Sequence, residues 1–335
     1  MSKIIVCVLT WLFLSGCTLT PREITIPLYG RPGETLTFRS MSVGRFASHG
    51  TPVWSPDGVY LAVTVRQDTS WVAVIEAESL SVRRYDLDPI SYRDTIIAWR
   101  GNDKLTALSG RTLYFIDLTT DEITSVETEG IYGLSYVFDP LDRDTILIGN
   151  TVQVEPRFIQ YDLVRYNIIT REITSITDTP DIDEYEPRIS SDGKLMAHYY
   201  VTGRGSFEPG AQAASEPDLM VIFDGERHHM KIAISDTPYK MAVGPGGRRI
   251  AFVNHAQNER ERSHYPLPGI YTIDITTEKR PELFFTSHVI DDGISAMTWS
   301  EATGRMVIIT VYRPGFGDSI LISEPILPSR FEKPS

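Results

Sequence analysis

From about residue 50 onward, short apolar runs alternate with tight-turn signals. Residues 60–65 and 71–75 are apolar or aromatic at almost every position, the pattern of strands covered on both faces. Val82-Arg83-Arg84-Tyr85 instead alternates charge with bulk, as an outer strand facing water does. Ahead of these runs stands Trp54-Ser55-Pro56-Asp57-Gly58. It reads as a turn in which Asp57 bonds its own backbone and Gly58 accepts a positive φ. Its role is structural, and no chemistry is assigned to Asp57 or to Asp192 in the later copy.

The same alternation recurs. Turn-and-strand units begin near Trp54, Trp99, Phe138, Ile189, Val243 and Trp299, at intervals of 45, 39, 51, 54 and 56 residues. Each holds three or four short strands, and periods of this size predict propeller blades. A second marker keeps the same phase: Asp117-Leu118-Thr119-Thr120, Asn167-Ile168-Ile169-Thr170 and Asp274-Ile275-Thr276-Thr277 each sit where a third strand turns into a fourth. The expected fold is therefore all-β, a six-bladed β-propeller over residues 23–335. The last unit is a strand short, so an N-terminal strand is expected to close the ring. Residues 23–28 are preferred for that place and 35–38 compete for it.

The turn followed by an apolar strand resembles the repeat of TolB-type β-propellers, which are WD40-like. Residues 53–63 match best; 188–197 keep Ser-Asp-Gly with Ser191 in place of proline, and the second, third and sixth units keep only the pattern. The resemblance implies architecture and says little about activity. TolB itself has an α/β domain ahead of its propeller for which this chain leaves no room, so the likeness is to the repeat alone.

The first residues carry a different message. One lysine precedes an apolar run, residues 4–14, too short for the roughly 20 residues that cross a bilayer. Leu14-Ser15-Gly16-Cys17 then resembles the lipobox of bacterial lipoproteins. That likeness implies cleavage after residue 16, diacylglycerol and an acyl chain such as palmitate on Cys17, and residues 17–22 as a lipidated linker. The only other cysteine, Cys7, lies in the segment to be removed, so no disulfide is expected. Thr18, not aspartate, follows the cysteine, and the resemblance then favours the periplasmic face of an outer membrane, or the cell surface where there is none.

Composition narrows the partners. Thirty-two Lys and Arg against forty-four Asp and Glu give a net charge of −12, which disfavours nucleic acid. Segments 150–162, 202–218 and 254–269 are long where the equivalent connection in the second unit is Ser109-Gly110, so one face is expected to carry recognition. The same face would hold residues 178–186. The candidate partner-binding residues are Asp181, Asp183, Glu184, Tyr185, Glu186, Arg188, Phe207, His255 and Tyr265.

Chemistry is sparse: no G-x-S-x-G elbow, no H-E-x-x-H and no P-loop, and Asp181-x-Asp183-Glu184 lacks the glycine and distal glutamate of a calcium loop. No catalytic residue, metal or cofactor other than the covalent lipid is expected. The sequence thus reads as a lipid-anchored extracytoplasmic propeller that binds or scaffolds a protein or another cell-envelope component. A propeller enzyme of the lactonase or glycosidase kind, with its site at the channel mouth, is the alternative.

Overall fold

The computed structural model describes residues 22–46, 51–66, 70–87, 95–109, 112–128, 133–139, 141–155, 158–179, 182–202, 218–223, 226–230, 241–254, 267–277, 280–286, 294–310 and 318–327. The chain opens with β1 (Arg22–Pro27) and β2 (Thr35–Phe46). The first repeat supplies β3 (Val53–Trp54), β4 (Tyr60–Arg66), β5 (Ser70–Glu76) and β6 (Val82–Asp86); the second, β7 (Ile96–Trp99), β8 (Lys104–Ser109), β9 (Thr112–Asp117) and β10 (Glu122–Glu127). In the third are β11 (Gly133–Asp139), β12 (Asp142–Glu155), β13 (Phe158–Asn167) and β14 (Ile173–Ser175), and in the fourth β15 (Ile182–Ile189), β16 (Leu195–Thr202), β17 (Asp218–Phe223) and β18 (Glu226–Met230). Last come β19 (Met241–Val243), β20 (Arg249–Asn254), β21 (Gly269–Asp274) and β22 (Glu282–Phe285), then β23 (Ile294–Trp299), β24 (Met306–Thr310) and β25 (Asp318–Ser323).

The fold is an all-β β-propeller. By hydrogen bonding the strands among the described residues form five sheets, not the six separate ones expected: four of four strands each and one of nine. The large sheet runs β23-β24-β25-β2-β4-β5-β6, with β1 on β2 and β3 on β4. It is continuous because β2 changes partner along its length. Residues Phe38 to Gly44 pair with β25, and Arg45 and Phe46 pair with Arg66 and Val65 of β4. The strand placed against the last repeat is thus β2 and not residues 23–28, which form most of β1 and pair outside β2. Burial explains the choice. Leu36 and Phe38 of β2 are fully buried, with Phe38 edge-on to Phe285 at 5.9 Å, whereas β1 buries only Ile26.

Strand character follows the alternation read from sequence. The inner-middle strands are buried on both faces, as in β8, β20 and β24, while β10 and β14 are exposed throughout. Segment 150–162, expected as a long loop, is instead mostly strand: β12 and β13 pair from Thr145–Asn167 out to Glu155–Phe158. The run Thr151-Val152-Gln153-Val154 opposite Phe158-Ile159-Gln160-Tyr161 has the polar and apolar alternation of a hairpin.

The turn motif is built as its residues require. Ser55 Oγ donates to Asp57 Oδ1 (2.6 Å) and accepts from the N–H of Tyr60 (2.9 Å), while Asp57 accepts from the N–H of Val59 (3.1 Å). Ser190, Asp192, Lys194 and Leu195 repeat the arrangement at 2.6, 3.0 and 3.1 Å. Gly58 and Gly193 have φ of 70° and 73°. The second marker holds too: Asp117, Asn167 and Asp274 each accept the backbone N–H two residues on.

Candidate functional site at the channel mouth

Six innermost strands, β3, β7, β11, β15, β19 and β23, follow one another round a cycle, each touching the next and β23 returning to β3. Their ends converge on a cavity of about 330 Å³. Its wall is mostly apolar, with Val53, Trp54, Ile97, Trp99, Phe138, Ile189, Val243 and Trp299 from all six strands. The rim is made of the turns that follow them, including Ser55, Pro56, Gly101, Ser190, Ser191, Ser300 and Glu301. The cavity therefore opens on the face carrying the turn motif, opposite to the face expected to carry recognition. The long segments 203–217 and 255–266 lie outside the described residues.

The rim turns hold one another. A Cβ on Gly58 would stand 2.5 Å from Ser300 Oγ, one on Gly247 2.9 Å from Ser190 Cβ, and one on Gly193 3.0 Å from a methyl of Leu141. Trp299 lies against the backbone of Gly244, where a Cβ would stand 2.5 Å from its ring. Two indoles are also fixed by hydrogen bonds: Trp99 Nε1 donates to the carbonyl of Val53 and Trp299 Nε1 to that of Gly304, both at 3.0 Å. The indole N–H of Trp54 is buried with no acceptor in the described structure.

Charged groups enter at the rim. Arg100 Nε donates to the carbonyl of Arg143 at 3.0 Å and its guanidinium pairs with Asp144. Asp139 is buried, 3.6 Å from Arg165, and accepts the N–H of Leu141 at 2.9 Å. Glu301, on the β23–β24 turn, reaches to the β15–β16 turn and accepts the N–H of Ser191 at 3.0 Å and its hydroxyl at 3.1 Å. Burial pushes this carboxyl up to about 7, against the pull of the Ser191 hydrogen bonds and with the negative charge of Asp192 adding to the rise. Desolvation at the rim thus outweighs two hydrogen bonds.

The residues named from sequence divide. Arg188 lines the cavity, half-buried, with Nη1 donating to the carbonyl of Pro187 at 3.0 Å. Asp183 is not at the mouth: half-buried between repeats, it accepts the N–H of Tyr161 at 3.1 Å, and burial raises its pKa against that hydrogen bond. Glu184 is buried inside its sheet, 1% exposed, so it is not a surface contact. Its Oε1 lies 3.3 Å from Nε2 of the fully buried His198, but off the direction of a hydrogen bond, and among the described residues both imidazole nitrogens and Oε2 have no hydrogen-bond partner. The pair sits beside a bulge around Pro187, between Tyr185 and Arg188, where β15 loses register with β16. Tyr185 and Glu186 are placed in β15 by their backbone alone. Cys17, Asp181, Phe207, His255 and Tyr265 lie outside the described residues.

Glu301, Arg143 and His198 had no place among the sequence candidates. No periodicity links Glu301 to a serine 110 residues away, and a single histidine in an apolar strand carries no motif. Among the described residues no three His, Cys, Asp or Glu side chains gather as a metal would need.

No protein-family model matches the chain, and no curated protein sequence matches it. Solved structures do share its fold. The β-propeller domain of Cps50 (Swd1) from Myceliophteria thermophila is 12% identical, with a TM-score of 0.53 over 86% of this chain and 98% of that one. An oligogalacturonate lyase from Vibrio parahaemolyticus is 9% identical, with a TM-score of 0.54 over 93% and 98%, and an oligogalacturonate lyase in complex with manganese is 11% identical, with a TM-score of 0.53 over 93% and 99%. At such identities the likeness is one of fold, and it identifies the chain as a β-propeller.

Proposed function

We propose that this protein is a binding propeller of the cell envelope, held to a membrane by lipid on Cys17, and that its partner docks at the channel mouth. The observation that carries the reading is the convergence of all six innermost strands on one largely apolar cavity with arginines and a carboxyl at its rim. A concave apolar site with a few polar groups is the usual form of a recognition surface. The rim turns interlock through close glycine contacts, which makes the site pre-formed, and a pre-formed surface loses little entropy on binding.

The nine-stranded sheet is taken here as two blades, giving six in all. Supporting that count, Leu61, Val63 and Ile75 share one buried cluster with Val307, Ile309 and Ile320, so its two halves pack face to face. β2 then serves as the outer strand that completes the last blade. Lipidation rests on the lipobox-like Leu14-Ser15-Gly16-Cys17, and TolB-type membership rests on the turn motif. The propeller-enzyme alternative draws on the fold shared with oligogalacturonate lyases, but the apolar wall favours binding.

The test is photocrosslinking in native membranes from position 51 or 191 at the rim, with position 169 on an outer turn as control. One partner captured from the rim positions and not from the control is expected; equal capture from all three, or capture from the control alone, contradicts the proposal. Cys17→Ala should move the protein out of the detergent phase, and retention there would refute the anchor.

A further inference from the structure

The charges around the mouth do not cancel. Of the arginines lining it, Arg100 is engaged by Asp144. Of the carboxyls, Asp139 faces Arg165 and the N–H of Leu141, and Glu301 commits both oxygens to Ser191. Arg143 is different. It is exposed, it lines the cavity, and it forms no ion pair among the described residues. Its Nη1 lies 3.7 Å from the place a Cβ on Gly101 would take, and Asp103 Oδ1 3.8 Å from that same place, so the side chain reaches from the start of β12 to the β7–β8 turn along the rim. Arg188 stands in the wall of the same cavity, one repeat further round.

A planar guanidinium pairs with a planar carboxylate through two parallel hydrogen bonds, a match that a point charge does not offer. The wall of the same cavity includes Trp54, Phe138 and Ile189, which suits a carbon framework. The neighbouring Glu301 carboxyl, raised to about 7 by burial, opposes an incoming anion less than an ordinary glutamate would. Resting on the reading of the mouth as the binding surface, we infer that it takes a ligand presenting a carboxylate on an apolar or ring-shaped body, with Arg143 on the carboxylate and the apolar wall, Trp54 included, around the body. A sugar acid and the free end of a peptide both offer that chemistry.

Isothermal titration of the purified full chain separates the sources. The probes are a uronic-acid disaccharide and its methyl ester, a tripeptide with a free C-terminus and its amide, and inorganic phosphate. At least one carboxylate form should bind, with its neutral counterpart about tenfold or more weaker, the usual scale for a charge-assisted contact. Whichever acid binds names the source. Arg143→Gln should weaken that acid about tenfold and leave the neutral form and the melting temperature unchanged, since the side chain is exposed. Equal binding of acid and neutral forms, phosphate binding as tightly as either carboxylate, no effect of Arg143→Gln, or no binding by any probe would each overturn the inference. Neutral forms that bind as tightly as the acids and lose that binding with Trp54→Ala would overturn it yet keep the mouth as a binding surface, as would rim crosslinks without probe binding. Absence of both would remove the two together.

Discussion

Glu301 should make the stability of this protein fall as the solution turns from acid to alkaline. The carboxyl spans two rim turns and is raised from its ordinary 4.5 to about 7, so between those values the folded state holds a proton that the unfolded chain releases. Its contribution is fully present below about pH 4.5 and is lost as pH rises through about 7. At about 1.36 kcal/mol per pH unit the ceiling is about 3.4 kcal/mol, and solvent reaching the half-buried rim reduces this to about 1–2 kcal/mol. Glu301→Gln is the matched perturbation. The amide oxygen still accepts the Ser191 N–H and the amide nitrogen can donate to the hydroxyl, which imitates the protonated acid without titrating. Urea unfolding of both proteins at pH 5 and pH 8 supplies the measurement. The gap between them should be small at pH 5 and should favour the variant by about 1–2 kcal/mol at pH 8. Parallel pH profiles would refute the reasoning, because every other titrating group is common to both proteins.

Three further outcomes follow from packing. Gly58→Ala should cost about 2–4 kcal/mol in thermal or urea melts, since φ is 70° and the new Cβ would meet Ser300 and Thr303, whereas Gly30→Ala, at φ 68° with nothing within 4 Å, should cost only about 1 kcal/mol. Glu184→Ala should cost about 3 kcal/mol by leaving His198 buried without its carboxylate, and the double change Glu184→Met with His198→Leu should recover most of that loss in urea unfolding. Phe38→Ala should cost about 3–5 kcal/mol and Ile24→Ala, on β1, less than about 1, a contrast in melting temperature that reports which N-terminal strand is packed into the core.

What was legible in the sequence follows the range of the forces involved. The Ser55 to Tyr60 and Ser190 to Leu195 turns are closed by hydrogen bonds spanning five residues or fewer, so their residue types announce them directly. The doubly covered runs gave the buried strands, since burial on both faces removes the alternation. The nine-stranded sheet was not legible, because it depends on β2 leaving β25 for β4 near its end, a choice made by partners hundreds of residues apart. The rim was illegible for the same reason. Glu301 is an unremarked acid in a turn until Ser191 is brought to it, and Arg143 lies in a polar stretch whose only local signal is the turn it helps to form. Glu184, counted with an acidic surface run, faces inward beside the bulge, where a proline three residues later breaks the register of its strand.

Hydrogen exchange on the protein with and without its crosslinked partner tests the central claim most directly. Partner binding at the mouth predicts slowed exchange in the rim turns, residues 54–58, 99–103, 190–193 and 299–304, with the outer strands β10 and β14 unchanged. Protection confined to segments such as 203–217 and 255–266, with the rim turns unaltered, would contradict it and move recognition to the other face.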